Sequence, residues 1–337
     1  MAFFSPHLGI DLGTTNVLVF VPGKGVVLNE PSVVAVSVEN NKVLAIGTEA
    51  KQMVGRTPDS IQAYRPMKDG VIADYRVTEA MLRYFMRKAL GKWNIWKPTV
   101  LVSVPAGVSS TEKRAVIEAA VKAGAADAFV VKEPILAAIG AGISIQEPMG
   151  RMVADMGGGT IDVAVISLGG IVASTSVKVA GNALDRSIID YLKKQYNLAI
   201  GDKTAEEVKI KIGAAVPMNE ELSLAVKGRD LVNGLPRTVE ISTNDLVQAM
   251  SRELREMTQA IRKVLQETPP ELAADIIDNG IILTGGSSQL RQMSELVYRR
   301  TGVIAKIASD PYYCVARGTG IALKHLDTYQ KSILAKQ

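Results

Sequence analysis

The stretch IDLGTTNVLVFV (Ile10–Val21) has a counterpart about 140 residues later, ADMGGGTIDVAVI (Ala154–Ile166). In each, an aspartate closes an apolar run, small residues follow, and a second apolar run begins, which reads as strand, tight turn, strand. The surroundings repeat too. A buried strand and a helix over Thr99–Ala123 are echoed by Gly280–Arg300, again a strand, a small-residue loop and a helix. Internal duplication accounts for this better than chance. A chain folded as two similar α/β halves places its ligand in the cleft between them.

Composition agrees. At 337 residues, 47% of them apolar, the chain has material for about two domains with sizeable cores. No apolar run approaches the roughly 18–20 residues of a membrane span. The start, MAFFSPHLG, lacks the basic and apolar regions of a signal peptide. The single cysteine, Cys314, excludes an internal disulfide and a cysteine-based zinc site, reads as a packed small apolar residue, and points to the cytosol. His7 and His325 stand too far apart in sequence to suggest a metal site or a triad. The net charge of +5 suits an anionic surface, but no nucleic-acid motif accompanies it, so no nucleic-acid partner is expected.

Local signals outline the elements. Pro31–Val38 and Val43–Gly47 form a hairpin across a polar turn. Thr78 is positioned to cap a helix running to Leu90 and stopped by Gly91. Ser109 and Glu112 form a capping box for a helix ended by Gly124, Thr204 and Glu207 form another, and Asn244 caps a helix to Gln266. Arg252, Glu253, Arg255, Glu256 and Arg262 make one side of that last helix a solvated face.

The duplicated turns carry the chemistry. In Asp11-Leu12-Gly13-Thr14-Thr15-Asn16, glycine permits close backbone approach, successive N–H groups form an anion nest, and the hydroxyls add donors. An aspartate beside such a nest repels an anion unless a cation lies between. The pattern therefore implies Mg²⁺, held by Asp11 and Asp155 through water. Asp155-Met156-Gly157-Gly158-Gly159-Thr160 repeats the device. A single loop of this kind is most often an ordinary turn. Two of them in duplicated context would clamp a polyphosphate from both sides.

With these residues in view, DLGTTN and DMGGGTID resemble the two phosphate motifs of the actin, Hsp70 and sugar-kinase superfamily. VVKEPILAAIGAG (Val130–Gly142) and CVARGTGIAL (Cys314–Leu323) look like its connecting helices, and IILTGGSSQL (Ile281–Leu290) like its adenosine motif. Within the superfamily the chain is most similar to the MreB family of bacterial actins, from about Leu8 to Leu326, including NEPSVVAV, PMKDGVIADY, VPAGVSSTEKRAV and AGNALD. One departure is Ile161-Asp162, where that family usually carries Thr and an acidic residue, which leaves the part played by Asp162 open.

The resemblance implies an actin-like fold: two duplicated ribonuclease-H-like α/β domains, with subdomains IA, IB, IIA and IIB, around a nucleotide cleft. Domain I would span 1–147 plus 313–337, with its IB insertion at about 31–65. Domain II would span 148–312, with its IIB insertion at about 181–245. ATP and Mg²⁺ are the implied cofactors. Thr14, Thr15 and Asn16 would bind phosphates from one side and Gly158, Gly159 and Thr160 from the other. Glu133 would orient or deprotonate the attacking water, although a carboxylate at a helix start is also favoured by the dipole alone. Asp11, Asp155 and Thr160 complete the catalytic set. Glu206, Glu207, Val208 and Lys209 would contact ribose and adenine, and Gly286, Ser287, Ser288 and Gln289 would flank the base, with Ser287 serving equally as a helix cap. Small residues in both connecting helices (Ala137, Ala138, Gly140; Ala316, Gly318, Gly320) would let them cross closely as a hinge.

The implied activity is slow, polymerisation-coupled hydrolysis of ATP to ADP and phosphate, where positioning and charge neutralisation carry most of the catalysis. The implied role is a filament of self-associated subunits, its protofilaments paired, that maintains rod shape by organising peptidoglycan synthesis with shape-determining membrane proteins. A chaperone ATPase would need a peptide-binding β domain after the second connecting helix, and none is legible before Gln337. No sugar-binding insertion is legible either. A nucleotide-binding scaffold without hydrolysis remains the other reading.

The only two tryptophans fall in KWNIWKP (Lys92–Pro98), between a stopped helix and a strand. Trp93, Ile95 and Trp96 are hard to bury together in a short loop, although one of them could fold back on the helix. The family's members associate with membranes through a hydrophobic loop at this place. Phe3 and Phe4 could insert beside it, and Arg87, Lys88, Lys92 and Lys97 would meet anionic lipid headgroups. The expected location is the inner face of the cytoplasmic membrane, peripherally bound.

Overall fold

The duplication is carried by two five-stranded sheets. A computed structural model describes residues 6–68, 71–72, 74–91, 96–326 and 328–329. In the first sheet the aspartate strand His7–Leu12 pairs antiparallel with Asn16–Val21, and that strand with Gly25–Pro31. On its other side it pairs parallel with Thr99–Val104, followed by Asp127–Lys132. In the second sheet Arg151–Met156 holds the central place. Ile161–Ser167 and Gly170–Val177 lie antiparallel on one side, Ile281–Thr284 and Ala305–Ile307 parallel on the other. Central strands covered on both faces have near-continuous apolar sequences. Leu8, Ile10, Met152, Val153 and Ala154 are accordingly buried.

Each sheet has its own core, and a third core lies between them. That shared core joins Leu101 and Val131 of the first sheet to Val153 and Ala164 of the second through Leu136 and Val315. Leu136 and Val315 belong to the crossed helices Glu133–Gly140 and Cys314–Lys324. A Cβ on Gly140 would overlap the Cys314 carbonyl, and one on Gly318 the Leu136 carbonyl. Glycine inside a helix costs about 1 kcal/mol relative to alanine. Here backbone-to-backbone packing requires it.

Two smaller sheets rise beside the cleft. One is Val43–Ile46, Val34–Ser37 and Ile61–Tyr64 with the helix Thr48–Met53. The other is Leu198–Ala199, Ser223–Asp230 and Pro236–Ser242 with the helices Gly181–Tyr196 and Asp202–Ile212.

Three helix starts differ from the sequence reading, each for a local reason. Asp74 caps Tyr75–Leu90 by accepting from Val77 N–H, while Thr78 sits buried inside the helix and donates to the Asp74 carbonyl at 2.7 Å. Asp202–Ile212 begins after an extended Gly201 without a side-chain cap, so Thr204 falls in its first turn. Ser242, with Asp245, forms the capping box of Thr243–Glu267. Asn244 instead ties down a loop, bonding both N–H and C=O of Met218. The Ser109–Glu112 box and the stops at Gly91 and Gly124 are present as expected. Among the described residues no helix is long and apolar enough to cross a membrane.

Candidate functional site

Both aspartate strands end at one cleft of about 620 Å³ between the two halves. The turns after them interlock. A Cβ on Gly158 would overlap the Thr15 side chain, and one on Gly159 would come within 2.5 Å of Thr14 Oγ1. The threonines of the first turn thus occupy space that the glycines of the second leave open. Thr15 Oγ1 donates to Asn182 Oδ1 at 3.3 Å, and the Asn182 N–H donates to the Gly158 carbonyl at 2.8 Å. Asn16 Nδ2 donates to Asn29 Oδ1 at 2.8 Å. The second turn is closed by Gly157 N–H on the Thr160 carbonyl at 2.9 Å, with Thr160 buried at the cleft wall.

Four carboxyl groups lie beneath these turns. Burial pushes Asp11 up to about 6, against the hydroxyl of Ser103, which donates to its Oδ1 at 2.8 Å. Burial pushes Asp155 up to about 7, against Thr284, whose hydroxyl donates at 2.6 Å. Glu133, the buried first residue of its helix, is raised well above the usual carboxylate range by desolvation and then by Asp162, Asp11 and Asp155. A carboxyl raised in this way is a stronger base once ionised. Asp162 stands opposite Asp155 across the strand pair and is fully buried, and burial raises it as well. Its Oδ1 accepts from Ala106 N–H at 2.6 Å, so it fastens a loop of the first half to a strand of the second.

The far wall comes from the helix Asp202–Ile212 and the turn after Ile281–Thr284. Glu206, Lys209, Ile210 and Gly213 face the cleft at helical spacing. Glu207 and Val208 do not line it: Glu207 is exposed beside Lys203, and Val208 is packed in the core. Lys209 Nζ is held by Asp185 at 2.8 Å and by the Gly181 carbonyl at 3.0 Å. Gly286, Ser287 and Gln289 line the opposite side, whereas Ser288 is buried and donates back to the Gly285 carbonyl. The Ser287 hydroxyl donates to the Gly157 carbonyl at 2.7 Å, which ties this turn to the one after Arg151–Met156.

Several cleft residues carry no strong sequence signal. Tyr312 lies against Gly286 and donates to Asn29 at 3.1 Å. Arg65, from beyond the first arm's sheet, donates to Asn182 Oδ1 at 2.9 Å, and Lys51 approaches Glu206 to 3.6 Å. Asn182 and Asp185 belong to AGNALD, a segment visible as a motif but not as a junction between loops and arms. Ser103 and Thr284 were hidden inside strands.

A divalent cation fits the donors present. Asp155 is buried and Asp11 partly so; both are raised carboxyls, each with one oxygen engaged by a hydroxyl. Their charge would be compensated by a cation carrying its own water. Among the described residues no group of three or more Asp, Glu, His or Cys is arranged to hold a metal ion.

Of the residues expected at a membrane, Phe3, Phe4, Trp93 and Ile95 lie outside the described residues, as does Lys92. Trp96 is 59% exposed, and Arg87 and Lys97 are exposed with it. Lys88 is engaged by Glu30 at 2.6 Å.

The profile described as MreB/Mbl protein matches residues 5–331. The chain is 48% identical to the cell shape-determining protein Mbl of Bacillus subtilis (strain 168) over 332 residues, covering 98% of this chain and 100% of the relative. It is 45% identical to the cell shape-determining protein MreB of Escherichia coli (strain K12) over 339 residues, 99% and 98% of the two chains. The crystal structure of MreB 5 of Spiroplasma citri bound to AMPPNP superimposes with a TM-score of 0.91 at 40% identity, covering 97% of this chain and 98% of that one. With an actin-like fold and matches of this extent, the chain belongs to the MreB/Mbl family of cell shape-determining proteins.

Proposed function

We propose that this protein binds ATP with Mg²⁺ in the cleft, hydrolyses it slowly, and polymerises into filaments that lie on the inner face of the cytoplasmic membrane and organise peptidoglycan synthesis. One observation carries the reading. Two interlocking turns, each backed by an aspartate at the end of a central strand, meet above a buried glutamate. Polyphosphate bound there would be gripped from both halves. Mg²⁺ would neutralise charge on the phosphates. Glu133 would orient the attacking water and take its proton, with Thr160 beside it. Glu206 and Lys209 would face the ribose, and Gly286, Ser287 and Gln289 the base.

The units that would rotate about the crossed helices are 1–147 plus 313–337 and 148–312. Asn182 would register that rotation, because it bonds Thr15, Gly158 and Arg65 together. Self-association has support from exposed apolar residues of the second half. Val232 is 80% exposed in the turn between Ser223–Asp230 and Pro236–Ser242, and Ile277 is 67% exposed on the helix Pro270–Asn279. Exposed apolar residues at two separate places suit a heterologous contact, which repeats as a filament when it does not close.

Trp96 supports the membrane reading. A large aromatic burying on the order of 100 Å² gains roughly 2–3 kcal/mol. Each basic residue near an anionic leaflet adds about 1 kcal/mol. One subunit would bind weakly, and a filament would multiply the anchor.

The test is co-sedimentation with ATP and Mg²⁺, with phosphate release followed in parallel, with and without anionic liposomes. We expect ATP-dependent pelleting and phosphate release that rises with polymer mass. Pelleting without phosphate release would leave a scaffold. Replacing Trp93 and Trp96 by serine should abolish liposome binding and spare polymerisation. Loss of folding in that variant would place the tryptophans in a core.

A further inference from the structure

We infer that Ser103 and Thr284 are a matched pair of positioning residues that aim Asp11 and Asp155 at the cation, an inference that rests on the nucleotide–Mg²⁺ reading above. Each sits on the strand that runs parallel beside the aspartate strand of its own half. Thr284 is the register partner of Asp155, and Ser103 follows Val102, the partner of Ile10. Both are buried at the cleft ends of strands that are apolar before them, VLV and IIL. A hydroxyl in such a place is costly unless it is bonded. Both make the same bond, to Oδ1 of the aspartate.

The proton's direction is fixed in the first half. Leu12 N–H donates to Ser103 Oγ at 3.2 Å, so the hydroxyl's own proton is left for Asp11 at 2.8 Å. The bond holds one oxygen of each carboxylate and stops the group from turning about its Cβ–Cγ bond. The other oxygen is then set for the cation's water. The same bond is present at the equivalent place in both halves, made by a different hydroxyl residue in each. Groups that orient the ligands of a metal commonly alter its affinity tenfold to a hundredfold when removed.

The full-length chain tests this. Binding of a fluorescent ATP analogue would be titrated with Mg²⁺, and Mn²⁺ bound with ADP would be counted by electron paramagnetic resonance. Melting in EDTA reports folding separately. Ser103→Ala and Thr284→Val should each raise the half-saturating Mg²⁺ about tenfold, while Thr284→Ser, which keeps the hydroxyl, stays near wild type. The inference is overturned if Thr284→Val lowers the melting temperature in EDTA but leaves the Mg²⁺ requirement unchanged. It is equally overturned if Thr284→Ser shifts that requirement as much as Thr284→Val. A wild-type chain that binds nucleotide equally well with and without Mg²⁺ removes the cation and this inference while sparing the nucleotide cleft. A wild-type chain that binds no nucleotide sinks the functional reading, and this inference with it.

Discussion

The two connecting helices begin at equivalent places in the duplicated halves, one with Glu133 and the other with Cys314. Both residues are buried. Glu133 sits among three other carboxyls at the cleft floor and is raised by desolvation and by them. Burial pushes the Cys314 thiol up to about 11, so it stays protonated and packs as a small apolar group. The phosphate turns diverge in a complementary way, with threonines in one and glycines in the other. Duplication supplied a symmetric cradle, and divergence left a carboxyl on one side and a thiol on the other. A symmetric site would hold polyphosphate from both halves but would have no preferred face for water attack.

The largest test of that asymmetry is Glu133→Gln. Removal of a general base typically costs a hundredfold or more, so phosphate release should fall about 10²–10⁴-fold while ATP-dependent pelleting persists. Cys314→Ala, the counterpart substitution, should change phosphate release less than about twofold, since a buried protonated thiol is inert. Equal losses in the two variants would break the comparison.

The pair of aspartates can be separated by pH. Both carboxyls are raised in the folded chain, to about 6 and about 7, above the ordinary 3.8. Between those values the folded protein holds protons that the unfolded chain has released. In EDTA, stability should therefore be greatest at low pH within this window and decline as pH rises through about 6 and 7. The decline should be on the order of several kcal/mol, because each tenfold change in how tightly a carboxyl holds its proton is worth about 1.4 kcal/mol. Asp155→Asn should remove the upper part of the decline and Asp11→Asn the lower part, read by denaturant titration across pH. A profile identical in wild type and both variants would contradict the burial argument. Mg²⁺ with nucleotide should flatten it.

The smallest effect sharpens the interlock of the turns. Gly158→Ala forces a methyl against Thr15, and overpacking of this kind costs about 1–3 kcal/mol. Calorimetry should show nucleotide affinity reduced about tenfold to a hundredfold, with part of the loss recovered when Thr15→Ala is added. Gly157→Ala should be milder, because its Cβ would meet only the Thr160 carbonyl, at 3.3 Å.

Much of this was legible in the chain because it is local. Strand, aspartate and small-residue turn are contiguous, so both aspartate-backed turns and the crossed helices could be read from motif and spacing. Helix starts were harder, since Thr78, Thr204 and Asn244 are all good capping residues by type. The choice depended on where the preceding chain arrived. Asn244 was taken by Met218. Glu207 and Val208 stand next in sequence to Glu206 and Lys209, yet helical geometry turns them away from the cleft.

By itself the sequence determined that the molecule has two like halves, that each presents an acid-backed turn, and that small residues allow the helices between them to cross. Only the tertiary structure decided which side chains serve those turns. Ser103 meets Asp11 across 92 positions, Thr284 meets Asp155 across 129, and Asn182 meets Thr15 across 167. Such contacts arise from sheet register and from the docking of two separately cored halves. A residue's type and its neighbours in the chain do not encode which distant strand will lie beside it.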